Sequence, residues 1–286
     1  MRALAPLPVL LPFELPARCV PGDAGFVIPR AVFTGRALAL LLATFALSLV
    51  VGEALAAPGR PGVVETILKW VPVIFTGFLF NLLVSVLAMG LGTFAGAGLG
   101  LAQISPVAPL SRVAWAATQF FRNAPWLVLL FYAMSLLPFQ LTFAGWSAPF
   151  PPWIKAVVGL ALPVMANVSE IVRGGVQSIP RDQWESAESL AFTRRQTLWL
   201  IVLPQAVKRM TPPWMNLYAI LTMATPLISI IGIADAMTLT RGALSAEGRP
   251  ELLIPMYLML LVWFFLYSYP IARWTVRLEE KYAVNI

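Results

Sequence analysis

The chain contains no histidine and a single cysteine, Cys19. Without imidazole there is no histidine general base and no histidine metal site, and one cysteine forms no internal disulfide. Arg18 rather than a small residue precedes Cys19, which argues against a lipid-anchored cysteine, and Pro6, Pro8 and Pro12 interrupt the only candidate signal segment. Charge is scarce as well: 12% of residues are charged, against about a quarter in soluble domains. None of Lys69, Lys155, Lys208 and Lys281 follows a glycine, so the Gly-Lys step of a phosphate-binding loop is missing and no nucleotide site is expected on this chain. No two acidic residues are grouped within an apolar stretch, which leaves no acid-base or metal centre for an intramembrane enzyme.

What is present is apolar length. Apolar residues make up 59% of the chain and the mean hydropathy is +0.80, and uncharged runs extend from Trp70 to Ser111, Asn123 to Ile154, Met210 to Ala234 and Leu252 to Ala272. About 20 such residues cross a bilayer core. Six spans are expected, at Arg36 to Ala56, Val73 to Ile104, Arg112 to Leu137, Trp153 to Val172, Pro212 to Ala234 and Leu253 to Ala272. The net charge of +7 lacks the clustered patch that nucleic-acid binding requires. Instead the cations alternate between the two ends of the spans. One side collects Arg2, Arg18, Arg30, Arg36, Arg112, the cations from Arg173 to Arg209, and Arg273, Arg277 and Lys281, and the other only Arg60, Lys69, Lys155, Arg241 and Arg249. The positive-inside rule then puts both termini in the cytoplasm.

Within the spans, Gly77, Gly90, Gly92, Gly96, Gly98 and Gly100 mark the second as a helix packed inside a bundle. Arg122 stands roughly 15 Å along a helix that starts at Arg112, so it snorkels, pairs with a carboxylate or lines a wet cavity. Asn167 and Glu170 share one helical face near the end of the fourth span, with Asn81 in the second span and Asn216 in the fifth as further polar positions. Each is open to helix-to-helix hydrogen bonding or to a place on a solute pathway.

The longest charged segment lies between the fourth and fifth spans, from Arg173 to Arg209. Pro180 suits a first helical turn, Asp182 and Glu185 suit the positive end of the helix dipole, and Trp184, Ala187 and Ala191 recur on one face, giving an amphipathic helix over Pro180 to Phe192. Thr193 with Gln196 has capping-box spacing, which starts a second short helix through Leu198 to Leu203 that Pro204 ends. The series Glu185-Ser186-Ala187, Ala191 and Ile201-Val202-Leu203-Pro204 resembles the EAA motif of ABC importer permeases, and Ser169 to Pro180, Leu203 to Ala206 and Phe121 to Pro125 resemble its polar amino-acid subfamily. The likeness runs from about Phe75 to the C-terminus. It departs from the family pattern at Ala191 (usually glycine), Ser186 (usually alanine), Asn81 (usually threonine) and Asn123-Ala124 (usually glycine-threonine). An alanine at the corner is unstrained at negative φ and strained in the left-handed region.

The resemblance implies an all-α membrane protein, the five-helix core of a type I ABC importer permease with one added N-terminal helix. It divides the chain into a Pro-rich cytoplasmic leader (1–35), an extra transmembrane helix with its external loop (36–72) and a permease core (73–286) with the coupling loop at 173–210. It also implies a non-catalytic subunit of the bacterial cytoplasmic membrane that moves a polar amino acid or an opine-like derivative. Partners so implied are an ATP-binding cassette ATPase dimer, which holds ATP and magnesium, a second permease subunit, identical or sister, and an extracytoplasmic substrate-binding protein. Docking falls to Pro180, Trp184, Glu185, Ser186, Ala187, Glu188, Ala191, Phe192, Ile201, Leu203 and Pro204. The rival class is a secondary transporter or channel that works without an ATPase. Clear internal repeats would mark the former and none is seen.

Overall fold

The computed structural model describes residues 35–57, 59–143 and 146–282; the expected leader lies outside them apart from Gly35. Among the described residues five helices are long and apolar enough to cross a membrane: α1 (Gly35–Leu55), α2 (Val63–Gln103), α5 (Pro152–Gln177), the helical run Arg194–Ile231, and the run from Pro250 that carries α10 (Leu253–Tyr282). The third expected span, Arg112 to Leu137, is present in two pieces, α3 (Ala108–Asn123) and α4 (Trp126–Leu136). Ala124 between them is extended at φ −74° and ψ 136°, as the residue before a proline must be when the Pro125 ring excludes the helical conformation. The two pieces nevertheless follow α5 along its length, since Leu130 and Ala133 of α4 meet Gly159, while Thr118 of α3 bonds Ser169.

The second span starts ten positions before the expected Val73, at Val63. Pro72 lies inside this helix and does not begin it, a placement tolerated in membrane helices because neighbours satisfy the freed backbone groups. The start is set instead by α1, whose Glu53 accepts the Val63 amide at 2.6 Å and so satisfies an otherwise orphan donor of the first turn. Close by, Gly52 is buried against Glu251, Pro255 and Val63. Helix α1 is therefore joined to the bundle through its C-terminal end, while Leu40, Leu47, Val50 and Leu55 along it stay exposed.

The central contact is α2 against α5. Gly92, Gly96 and Gly100 face Val164, Val168 and Val172 in turn, an unchanging offset that makes the two helices parallel. A Cβ on Gly96 would stand 2.5 Å from the Met165 carbonyl, so only glycine lets the backbones approach this closely. Gly77 does the same against the Ala236 backbone, whereas Gly90 and Gly98 meet nothing. The glycines expected to pack thus divide into two faces of one helix. Around this seam lies an apolar cluster built on Val84, Leu130, Leu160, Val164, Leu221 and Ile228. A second, with Val63, Ile74, Phe78, Ala243, Leu252 and Met256, joins α2 to α10 and to α9 (Ala236–Glu247).

Three elements were not expected from the sequence. A hairpin, β1 (Gln140–Phe143) and β2 (Trp146–Pro149), pairs Gln140 with Pro149 and Phe143 with Trp146. Helix α9 is capped by Asp235, whose carboxylate accepts the Thr238 amide at 2.9 Å. The fifth span opens at Leu203 as α8 (Leu203–Ala224) and closes in a 3₁₀ segment, Thr225–Ile231.

Candidate functional site

The segment that joins α5 to α8 folds as a helix, a tight corner and a second helix. Helix α6 covers Arg181–Ser189, with Pro180 at its N-cap and Asp182 in its first turn, where a carboxylate complements the dipole. It ends three residues before the expected Phe192. Leu190 is the C-cap and Ala191 follows in the left-handed region at φ 57°. The Ala191 amide donates to the Glu188 carbonyl at 2.9 Å and the Phe192 amide to the Ala187 carbonyl at 3.1 Å. These are the two bonds of a Schellman closure, which usually takes glycine at this position. Thr193 and Gln196 then form the expected capping box, the Thr193 amide donating to Gln196 Oε1 at 2.9 Å.

Pro204 does not end the second helix. From α7 (Arg194–Gln196) the chain passes through a π-helical turn, Thr197–Val202, straight into α8. Leu203 donates back to the Leu198 carbonyl, one position further than in an α-helix. The wide turn gives the Pro204 ring room against the Leu200 carbonyl, the group it would strike in a regular turn. From Arg194 onward the second helix of the loop and the fifth span are thus one helical run, and α6 is coupled to it through the Ala191 corner and the apolar contacts beneath.

Beneath α6 a small apolar core fixes it in place. Val176, Ile179, Val202 and Ala206 are buried, with Trp184, Leu198, Leu203 and Met210 packed around them. Ala187 is 1% exposed within the chain itself, so its small side chain serves internal packing where the sequence suggested close approach of a partner. Gln205 Nε2 donates to Gln183 Oε1 at 3.2 Å, and the Arg209 guanidinium donates to the Ser178 carbonyl at the end of α5. Of the expected docking residues, Pro180, Glu185, Ser186, Glu188, Ala191 and Pro204 face out, Ala187 faces in, and Trp184, Phe192, Ile201 and Leu203 are half-buried. The outward face of α6 is therefore acidic and held rigidly from below.

The expected polar positions in the spans separate. Arg122 and Glu170 come together, Nη1 to Oε2 at 3.6 Å; Glu170 also takes Arg173 at 2.6 Å and Gln119 at 3.3 Å. Arg122 is the last-turn cation of α3, where it complements the helix carbonyls, and of its three options it takes the carboxylate. Asn167 donates to the Pro163 carbonyl at 2.8 Å, on its own helix. Asn81 is fully buried; its amide nitrogen donates to Asp235 at 3.2 Å and its oxygen accepts the Ala236 amide at 3.1 Å. Asn216 is exposed on α8. The structure joins Arg122 to Glu170 and keeps Asn81 apart from both, as a strut between α2 and α9.

Other polar groups meet inside the bundle, among them Lys155, which the charge pattern places with the cations between spans. Gln103, Thr118 and Ser169 form a buried three-helix junction, with Gln103 Nε2 at 3.0 Å from Thr118 and 2.7 Å from Ser169. Lys155, fully buried, donates to the Leu137 carbonyl at 2.8 Å beyond the end of α4, with its ammonium 3.6 Å from the centre of the Phe139 ring. Tyr218 and Tyr267 share a hydrogen bond of 2.7 Å between α8 and α10. Each is a polar residue within or at the edge of an apolar run, the one sign by which it could have been found.

Among known proteins, residues 88–282 match the family model described as binding-protein-dependent transport system inner membrane component. The probable amino-acid ABC transporter permease protein YckA of Bacillus subtilis is 31% identical over 212 residues, 74% of this chain and 90% of that protein. The inner membrane amino-acid ABC transporter permease protein YhdY of Escherichia coli is 33% identical over 172 residues, 57% of this chain; the match spans 44% of that longer protein. A crystal structure of an amino acid ABC transporter with histidines has the same fold, with a TM-score of 0.66 at 24% identity over 76% of this chain and 97% of that one. The chain therefore belongs to the binding-protein-dependent transport system inner membrane components, and is a non-catalytic ABC importer permease of the inner membrane, a family that implies an ATPase partner and a substrate-binding protein.

Proposed function

We propose that this permease imports a polar amino acid, or an amino-acid derivative such as an opine, and that α6 is the element its ATPase grips. The observation that carries the docking role is mechanical. An acidic helix face is clamped at both ends and joined, through one hydrogen-bonded corner at Ala191, to a helical run that continues through the π-helical turn into a membrane-crossing helix. Glu185 and Glu188 can meet cations or backbone amides of the partner, while Trp184 and Leu203 hold the helix from beneath. ATP and magnesium belong to an ATPase dimer, and a second permease, identical or sister, completes the membrane unit. With the α6 side in the cytoplasm, both termini are cytoplasmic. The amino-acid assignment is supported by relatives named for glutamine, for cystine and for glutamate and aspartate.

For the solute path, Arg122 and Glu170 are the favoured pair. They sit where α3 breaks, partly exposed, and present opposite charges of the kind that orient an amino acid's carboxylate and ammonium. Asn167 and Asn216 remain candidates. The test is uptake into vesicles that hold the permease with its ATPase and binding protein, using labelled glutamine, glutamate, cystine and an opine. ATP-dependent uptake of one of these supports the reading. Uptake without ATP, or of none of them while another polar solute enters, contradicts it.

A further inference from the structure

A cavity of about 330 Å³ opens beside α6, at the ends of α2 and α5, walled by Ile104, Gln177, Trp184, Leu198 and two arginines, Arg181 and Arg194. We infer that it binds the phosphate of an anionic phospholipid headgroup.

Charge points that way first. No carboxylate lines the cavity among the described residues, although acids are close at hand. Glu170 is taken up by Arg173 and Arg122, while Asp182 and Glu185 are exposed on α6 and contribute nothing to the wall. Arg181 has no ion-pair or hydrogen-bond partner among the described residues. Arg194 has one long bond, Nη2 to the Ile104 carbonyl at 3.4 Å, which fixes its direction without neutralising it. Gln177 gives its amide oxygen to Arg173 at 3.3 Å, leaving its amide nitrogen as a donor. Two guanidinium groups and an amide donor with no opposing acid make a site for a group with several anionic oxygens.

Position selects the source. The cavity stands at one end of the bundle, where the spanning helices α2 and α5 end at Gln103 and Gln177, and headgroups lie at the ends of spanning helices. On the adjoining π-helical turn Trp199 and Leu200 are 54% and 64% exposed, an apolar surface suited to acyl chains, with tryptophan at the depth it favours in bilayers. Basic pockets between transmembrane helices are where anionic headgroups bind. Trp184 lines the cavity on one side and helps to hold α6 on the other. A headgroup seated there would brace the helix that this account assigns to ATPase docking, yet the site itself stands whether or not that docking role holds.

The test is a titration of the delipidated full-length chain with phosphatidylglycerol, read by native mass spectrometry. Phosphatidylcholine and millimolar inorganic phosphate serve as comparison ligands, and Arg195→Gln as an exposed control outside the cavity. Wild type and Arg195→Gln should retain phosphatidylglycerol, while Arg181→Gln and Arg194→Gln should each lose about tenfold in affinity, the loss of one charge-assisted hydrogen bond. Because the Arg181 side chain makes no internal bond among the described residues, its variant should melt with wild type, which separates lost binding from lost folding. Undiminished retention by both variants would overturn the assignment, as would equal binding of phosphatidylcholine or displacement of the lipid by inorganic phosphate.

Discussion

The Phe192 amide donates to the Ala187 carbonyl across 3.1 Å, and that bond closes α6 over an alanine held at φ 57°. A side chain in the left-handed region costs about 1–2 kcal/mol, and here the cost sits in the corner that sets the pose of the proposed docking helix. Ala191→Gly should raise the stability of the purified protein by about 1 kcal/mol, and Ala191→Val should lower it. Thermal unfolding in one detergent, with the two variants moving in opposite directions, would bear this out. An Ala191→Gly variant that melts below wild type would contradict it.

The α2–α5 seam gives a positional prediction. Gly96→Val should be severely destabilising, because its Cβ would stand 2.5 Å from the Met165 carbonyl and overpacking of this kind typically costs about 1–3 kcal/mol. Gly98→Val, two residues away on the open face, should leave folding intact. Comparison of the monodisperse fraction after detergent extraction reads the difference, and equal yields for the two variants would refute the seam.

Asn81 serves two partners at once, so its truncation should cost more than one hydrogen bond. Asn81→Ala leaves the Asp235 carboxylate and the Ala236 amide short of a buried partner, a penalty of roughly 1–3 kcal/mol for each unsatisfied group. The expected phenotype is lower thermal stability with the solute affinity of surviving transporters unchanged. A changed affinity at unchanged stability would return Asn81 to the solute path.

At the opposite end of α2, hydrogen bonds from Lys69 and then Trp70 hold the Glu247 carboxyl below its ordinary value. A depressed folded-state value stabilises the protein above the ordinary glutamate range, and that contribution is lost as the pH falls through the depressed value. Lys69 is 66% exposed, so the effect should be small and weakened by salt. The melting temperature of Lys69→Gln should fall less steeply than that of wild type below pH 4.5, the ordinary glutamate value. Parallel curves would argue against the pair.

Much of this architecture was legible because long apolar runs and the capping box at Thr193 depend on local chemistry alone. Pro125 broke its span as a pre-proline residue requires, whereas Pro72 and Pro204 did not end their helices. Their tolerance comes from distant neighbours and from a π-helical turn that no local pattern announces. Helix α9 depends on Asn81, far away in sequence, for part of its cap. The helix and corner between Pro180 and Gln196 were readable because their residues are close together in the chain. The Arg122–Glu170 pair was not, because α3 and α5 meet only in the folded bundle.

The measurement closest to the central claim is co-purification of the ATPase subunit with this permease, wild type beside Glu185→Lys, both extracted in the same mild detergent. The account predicts that wild type brings down the ATPase and that Glu185→Lys loses it while entering the membrane in equal amount. Equal recovery of the ATPase by the two would contradict the docking role of α6.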